Sequence, residues 1–479
     1  MNPKPAPHHH PFLDPLTDTR RTTPWSWLAP WSGRLLVSVL FLLTACRRPE
    51  PPPVGDPASA ASIDPAVRAH IRTLAEAARD RPRDPVPRAA LGIALAANGL
   101  WSEAREVFQA TALLDPDEPL APMYAAVALQ ELSDGPGSLR EFRTVAERFP
   151  GFAPAWYRVG EASLRAGDLG SAEEAFSRLV RLAPKESRGP MGLAEVGFRR
   201  GEATNALSRV ERALELEPGS RPALYLLGQI FRSLGRTEEA RVAIAAGTGE
   251  ARQPMPDPWA ETAPDHVRLL PGVFQQAEAL ASEGRPEAAV ALLERARRFH
   301  PDHPGLLNQL GVALNRSGQP RKTLDLLTQV IVKDPKAVAP RITRSHALAQ
   351  LGDLEAALSE AREAVHLAPR LAQSHLALAN AHLAAERDAE ALLALEEASR
   401  CDPANPEILL ETATVRWRNL HEAGPALDLV QRALEINPAL GPGLRLKAEV
   451  QEAIGDTEGA RRTEGAMRWL AARTGGRAR

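Results

Sequence analysis

Side chains able to do covalent or metal chemistry are few in this 479-residue chain, and they stand far apart. Cys401 lies near the end of an expected helix, where it reads as a redox thiol, as an intermolecular bridge, or simply as a small apolar residue filling a helix end. His375 and His382 are two helical turns apart and could share a face, and His300 and His303 flank a proline step. No cysteine or carboxylate completes a zinc set at either place, and exposed helical histidines are common. The triplet His8, His9 and His10 lies in a leader that is expected to be discarded. A glycine-rich phosphate loop, a His/Glu pair at zinc spacing and a nucleophile elbow are all missing from the sequence. The expectation is therefore a protein with no catalytic residues, no metal and no cofactor, and no small-molecule substrate. An enzyme would need its chemistry at the histidines or at the proline-rich insert described below.

The elements that position these residues repeat. Prolines at 82, 116, 150, 184 and 218, and again at 301, 335, 369 and 403, recur every thirty-four residues, and so strict a period marks a repeat architecture. With Pro116 as position 32 of a block that starts at Pro85, position 8 is always small: Gly92, Ala126, Gly160, Ala194, Gly228, Ala277, Gly311, Ser345, Ala379, Ala413 and Ala448. Position 20 is small as well, from Ala104 and Ser138 to Ala426 and Ala460. Two small columns twelve residues apart let two helices approach closely at one crossing. Position 24 is bulky, with Phe108, Phe142, Phe176, Val210 and Ile244 in successive blocks. Turn formers such as Asn98-Gly99, Gly167-Asp168 and Gly352-Asp353 separate two helices within each block. Each block is expected to be a helical hairpin, closed by an Asp-Pro or Ala-Pro step that stops its second helix. Scarce aromatics and abundant Ala and Leu agree with an all-α chain. A formal net charge of −2 leaves no electrostatic footprint for nucleic acid or an anionic membrane surface.

Trp156, Val159, Gly160, Ala172, Phe176 and Pro184 occupy the signature positions of a tetratricopeptide repeat, and the other blocks match in part. The chain resembles a tetratricopeptide array over about residues 66 to 472. The implied fold is an all-α solenoid of about eleven 34-residue helical hairpins in two sub-arrays. Residues 64–84 fit a lone second helix that caps the start. Glu464 replaces the bulky column at the end, which suits a terminal repeat with no further repeat packed on it. In this family the first helices line a concave groove. The corresponding positions here give Tyr157, Met191 and Tyr225, then Glu161, Glu195 and Gln229, then Arg165, Arg199 and Arg232. The resemblance implies that this stripe binds an extended or helical peptide through mixed apolar and polar contacts. Tyr and Met on an otherwise solvated face have no packing reason to be there. The same Glu and Arg residues also form i,i+4 pairs that stabilise any exposed helix by a few tenths of a kcal/mol. The Lys/Asn pattern with which some family members clamp a chaperone's C-terminal carboxylate does not occur in three consecutive repeats.

The N-terminus carries a second resemblance. Leu35 to Ala45 is an apolar run of eleven, too short to span a bilayer yet suited to the hydrophobic region of a secretory signal, with Arg20, Arg21 and Arg34 before it. Leu43, Thr44, Ala45 and Cys46 are similar to the lipobox of bacterial lipoproteins. The resemblance implies that Cys46 is acylated as the first residue of the mature protein, held to a membrane by its lipid anchor. Arg rather than Asp follows it, which in two-membrane bacteria implies the outer membrane, facing the periplasm. Thirty-four residues precede the run, so either the assigned start is early or the leader is unusual. Prolines 49, 51, 52, 53 and 57 then make an extended tether, at roughly 3 Å per residue and up to roughly 50 Å.

One phase break interrupts the repeats. About fifteen extra residues separate Pro218 from Pro301 beyond whole periods, and they include Pro254, Met255, Pro256, Asp257, Pro258, Trp259, Glu261 and Pro264. This run is expected as a loop, because proline at that density cannot continue either helix. It reads either as a hinge whose Trp259 covers the end of the fifth repeat, or as a contact loop that binds a partner or folds into the groove. The expected organisation is signal peptide 1–45, tether 46–63, capping half repeat 64–84, first array 85–250 with five repeats, insert 251–267, second array 268–473 with six repeats, and tail 474–479. The expected function is a membrane-anchored scaffold for a protein or peptide ligand in the bacterial cell envelope. The alternative is a structural spacer or self-associating envelope protein.

Overall fold

The computed structural model describes residues 52–54, 63–249, 252 and 254–475. Cys46, the apolar leader, most of the tether and the last four residues lie outside the described residues. Every regular element among the described residues is helical. A single helix, α1 (Pro65–Asp80), opens the fold. Five hairpins follow, α2 (Pro85–Ala97) with α3 (Trp101–Leu114), α4 (Leu120–Glu131) with α5 (Gly135–Arg148), and α6 (Ala153–Ala166) with α7 (Leu169–Leu182). The last two are α8 (Arg188–Arg199) with α9 (Ala203–Leu216), and α10 (Arg221–Ser233) with α11 (Thr237–Gly247). A short helix, α12 (Pro258–His266), lies in the insert, and six more hairpins run from Leu270 to Thr474.

Local chemistry sets the helix ends. Asp84, Asp134 and Asp168 each accept a backbone N–H from the first turn of the helix that they precede, at 3.0, 2.9 and 3.0 Å, which satisfies donors with no intrahelical partner. Gly167, at φ 77°, closes α6 in the left-handed conformation that suits glycine. The insert differs from the expected loop because Asp257 caps it and Pro258 stands at N1, where a missing N–H costs nothing.

Packing between hairpins depends on the small and bulky columns. Phe108, Phe142 and Phe176 are fully buried. A Cβ on Gly160 would come within 2.6 Å of the Phe176 ring, and one on Gly192 within 2.5 Å. The ring therefore lies against bare backbone from both its own hairpin and the next one, and the two hairpins share one apolar contact.

The two arrays also touch away from the chain connection. The final helix, Thr457–Thr474, was expected as a free cap, but its Trp469 packs against the cluster holding Val210, Leu224, Leu227 and Phe231 of the fourth and fifth hairpins. Gly219 N donates to Arg473 O at 2.7 Å, and Val242 and Ala246 pack on the cluster of Leu444, Leu446 and Leu470. At the other end, His300 Nε2 lies 3.4 Å from Asp64 Oδ2. Glu464 stands in the bulky column partly exposed beside Arg468, while Met467, Trp469 and Leu470 of the same helix make the apolar contacts.

Phe176→Ala should lower stability by about 3–5 kcal/mol, because rigid backbone on both sides limits collapse of the cavity. Hydrogen exchange should place the lost protection in residues 153–199, with the second array unchanged, as expected where repeats interact with their neighbours.

Candidate partner-binding groove

The insert lies along the inner helices of the first array. It runs from the fourth hairpin back to α1, opposite to the order of the repeats, and does not cover the fifth repeat. Its first described residue, Arg252, sets one guanidinium between two carboxylates from successive first helices. Nη1 donates to Glu161 Oε1 of α6 at 2.9 Å, and Nη2 donates to Glu195 of α8. The side chains are mostly withdrawn from water, at 24% exposure for Arg252 and 15% and 13% for the two glutamates. Glu195 has a second cation in Arg199, so the counter-charge of Arg252 matters most for Glu161, a carboxylate largely out of water that would be strongly unfavourable without one.

Met255 packs against the cluster of Tyr157, Leu164, Phe176 and Val196. Two residues on, Asp257 is buried at 6% exposure and accepts the Tyr124 hydroxyl at 3.0 and 3.1 Å. The same carboxylate accepts the N–H groups of Trp259 and Ala260, both at 2.9 Å. Burial first, and the Asp257 charge second, push the Tyr124 phenol far above its usual pKa, so it stays a donor. Trp259 then enters between α2 and α4. Its ring stacks on Phe108 at 5.5 Å and meets Tyr124 at 5.3 Å, a compact three-ring group.

The far end is held by Asn98, which is buried at the end of α2. Its Nδ2 donates to Ala94 O at 2.8 Å and to His266 O at 2.9 Å, while its Oδ1 accepts Arg268 N at 2.9 Å. His266 Nδ1 also lies 3.0 Å from His70 Nε2 of α1. Such a bond needs a donor on one ring and a lone pair on the other, so the pair cannot be doubly protonated. Burial, then Arg268, His266 and Arg295, push His70 down to about 4. His266 is lowered as well, by burial and Arg268, against the opposing charge of Asp265.

The residues expected along the groove take several different places. Glu161, Glu195 and Arg199 converge, since Glu195 bonds both Arg252 and Arg199, and Arg199 Nη1 reaches Leu164 O at 2.7 Å. Arg165 reaches back to Gln130 Oε1 at 2.6 Å, tying one hairpin to the previous one. Tyr157 and Met191 do not stand on a solvated face, being 3% and 5% exposed in apolar clusters. Tyr157 has its phenol pushed up to about 12 by burial and then by Glu161. Tyr225 is 43% exposed, and with Gln229, Glu195, Arg199 and Arg252 it lines a pocket of about 640 Å³ beyond the guanidinium. Arg232 is exposed. Trp259 is the insert's aromatic anchor, bound within this chain. Sequence reasoning missed Tyr124, His70 and His266, which no local pattern marks, and read Asn98 only as a turn former. Among the described residues no group of three or more His, Cys, Asp or Glu is arranged to hold a metal ion, and no helix is long and apolar enough to cross a membrane. Cys401 is half-buried near Ala372, Ala398 and Ile408.

The arrangement is an α-solenoid whose inner face holds an extended segment. Tetratricopeptide repeat family models match residues 125–187, 342–406, 198–260 and 271–313, so tetratricopeptide repeats are found in these stretches of the chain. The chain is 29% identical over 227 residues to Tetratricopeptide repeat protein 37 of Xenopus laevis, covering 44% of this chain and 14% of that protein. It is 32% identical over 90 residues to the CTR9 homolog of Arabidopsis thaliana, covering 19% and 8%. The chain thus spans a small fraction of the length of these curated relatives. A thermophilic tetratricopeptide-repeat protein of Thermus thermophilus superposes with a TM-score of 0.34 at 24% identity, covering 38% of this chain and 98% of that one.

Trp259→Ala should weaken insert docking by about 2 kcal/mol, read as a roughly thirtyfold rise in amide exchange over residues 257–266 with the array helices unchanged. Docking should also depend on pH. Both folded histidine pKa values lie below the unfolded value of 6.5, so the contribution is complete above about 6.5. It should fall as pH drops through the interval towards about 4, where the unfolded rings are protonated and His70 is not. Limited proteolysis of the insert at pH 7.5, 5.5 and 4.5 should show this opening, and His70→Asn should flatten the dependence.

Proposed function

We propose that this chain is a non-catalytic, membrane-anchored scaffold that mediates protein–protein interactions in the bacterial cell envelope, in the assembly of a secretion, pilus or export complex. Tetratricopeptide-repeat proteins usually mediate such interactions, and the matches along this chain support that general role. The observation that carries the reading is the inner face of the first array. It holds an extended segment by side-chain contacts at Glu161, Glu195, Tyr124 and the Phe108 ring, which is the work of a peptide-binding groove. The anchoring part rests on the apolar run Leu35–Ala45, the acylatable Cys46 and the proline-rich tether. By that reading the array faces the periplasm from the outer membrane. The spacer reading has its own support in the final helix, which covers the end of the first array and satisfies that surface within the chain.

Two changes test the halves separately. Cys46→Ser should move the protein from the membrane to the soluble fraction and abolish incorporation of a labelled fatty acid. A photo-cross-linker in place of Tyr225 should capture one abundant partner in native membranes, and Gln229→Arg in the same protein should reduce that capture at least tenfold. Capture of nothing but this chain would move the spacer reading to the front.

A further inference from the structure

The insert is bound in an unusual way for a piece of a folded domain. Among the described residues, none of its backbone N–H or C=O groups between Arg252 and Trp259 pairs with the backbone of the groove. Prolines 254, 256 and 258 remove donors and hold the segment extended. Attachment comes from four side chains, Arg252, Met255, Asp257 and Trp259, each meeting a complementary group. The helices beneath bury their cores through their own contacts, with Met255 and Trp259 only partly buried at the margins of those clusters. The insert follows Gly247-Thr248-Gly249, with Gly249 at φ 95°, a backbone conformation that glycine adopts without strain. This is the construction of a ligand rather than of a core element.

We propose that residues 252–259 are a displaceable built-in occupant of the groove. Resting on the scaffold reading above, the partner is a protein segment in extended form with the same chemistry. It presents a guanidinium, an unbranched apolar side chain three residues on, then a carboxylate and an indole at successive two-residue steps. Each requirement follows from a fixed group. Glu161 needs a cation, which Glu195 shares, the Tyr157–Leu164–Phe176 surface takes a flexible apolar chain, the Tyr124 hydroxyl needs an acceptor, and the adjoining Phe108 and Tyr124 rings take a flat ring against them. A tethered occupant competes at an effective concentration on the order of millimolar, so the partner needs a contact that the insert does not use. The pocket at Tyr225 and Gln229, contiguous with Arg252, supplies one and is where displacement starts.

The test uses the full chain and a labelled synthetic peptide of residues 250–261. Arg252→Glu sets a carboxylate against Glu161 and Glu195 and should open the insert without touching a buried core residue. Trp259→Ala provides a second opened protein. The peptide should bind both variants at least tenfold more tightly than wild type, and a peptide with Glu in place of its Arg should not bind. Failure to bind either variant, with circular dichroism and array exchange protection unchanged, overturns the inference. So does a cross-linked partner at Tyr225 whose yield is the same in wild type, in Arg252→Glu and in excess peptide, although the scaffold reading would then stand. Peptide binding with no partner captured supports the groove chemistry and overturns the scaffold reading instead.

Discussion

Everything in this fold depends on how closely the two helices of a hairpin can approach. A single hairpin exposes an apolar stripe that it cannot bury by itself, and the stripe closes only when a neighbour stacks on it. At the third hairpin the approach is set by the Phe176 ring lying against the backbone of Gly160 and Gly192. A bare backbone on both sides makes one aromatic ring serve two interfaces. The close spacing in turn aligns the first helices side by side. Glu161 and Glu195, thirty-four residues apart in sequence, thereby come near enough to share one guanidinium.

The groove formed in this way is selective because its polar groups are partly desolvated. Carboxylates in water would tolerate many neighbours, but at 15% exposure Glu161 needs a cation, and Glu195, at 13%, shares it while also pairing with Arg199. The Tyr124 hydroxyl, raised in pKa by burial and by Asp257, needs an acceptor for the same reason. Burial thus turns an ordinary set of surface residue types into ordered requirements along one line. At the end of that line the His266–His70 bond and the double contact of Asn98 fix where the second array begins. Groove and inter-array geometry are therefore physically connected through a single segment of chain.

The fold class was legible in the sequence because each repeat states the same local rules again. Small residues at positions 8 and 20, a bulky one at position 24 and a closing proline recur whatever the rest of the block contains. Local information suffices where each element packs on its sequence neighbours. The same reasoning read Tyr157 and Met191 as solvated groove residues, and the structure buries both. Family position tells which helix face a residue occupies, but not how deep the cleft is or what else lies in it.

The repeat unit, its helices and the residue type at each repeat position were readable without the structure because they depend on spacings within thirty-four residues, and the phase break at the proline-rich insert showed as a departure from that period. It is in the folded chain that Arg252 meets Glu161 and Glu195, that Trp259 reaches Phe108 and Tyr124, and that Trp469 returns to the fifth hairpin. These partners are separated by tens to hundreds of residues and share no period. Their meeting depends on the accumulated rotation of many stacked hairpins, a sum that no local pattern of residues records.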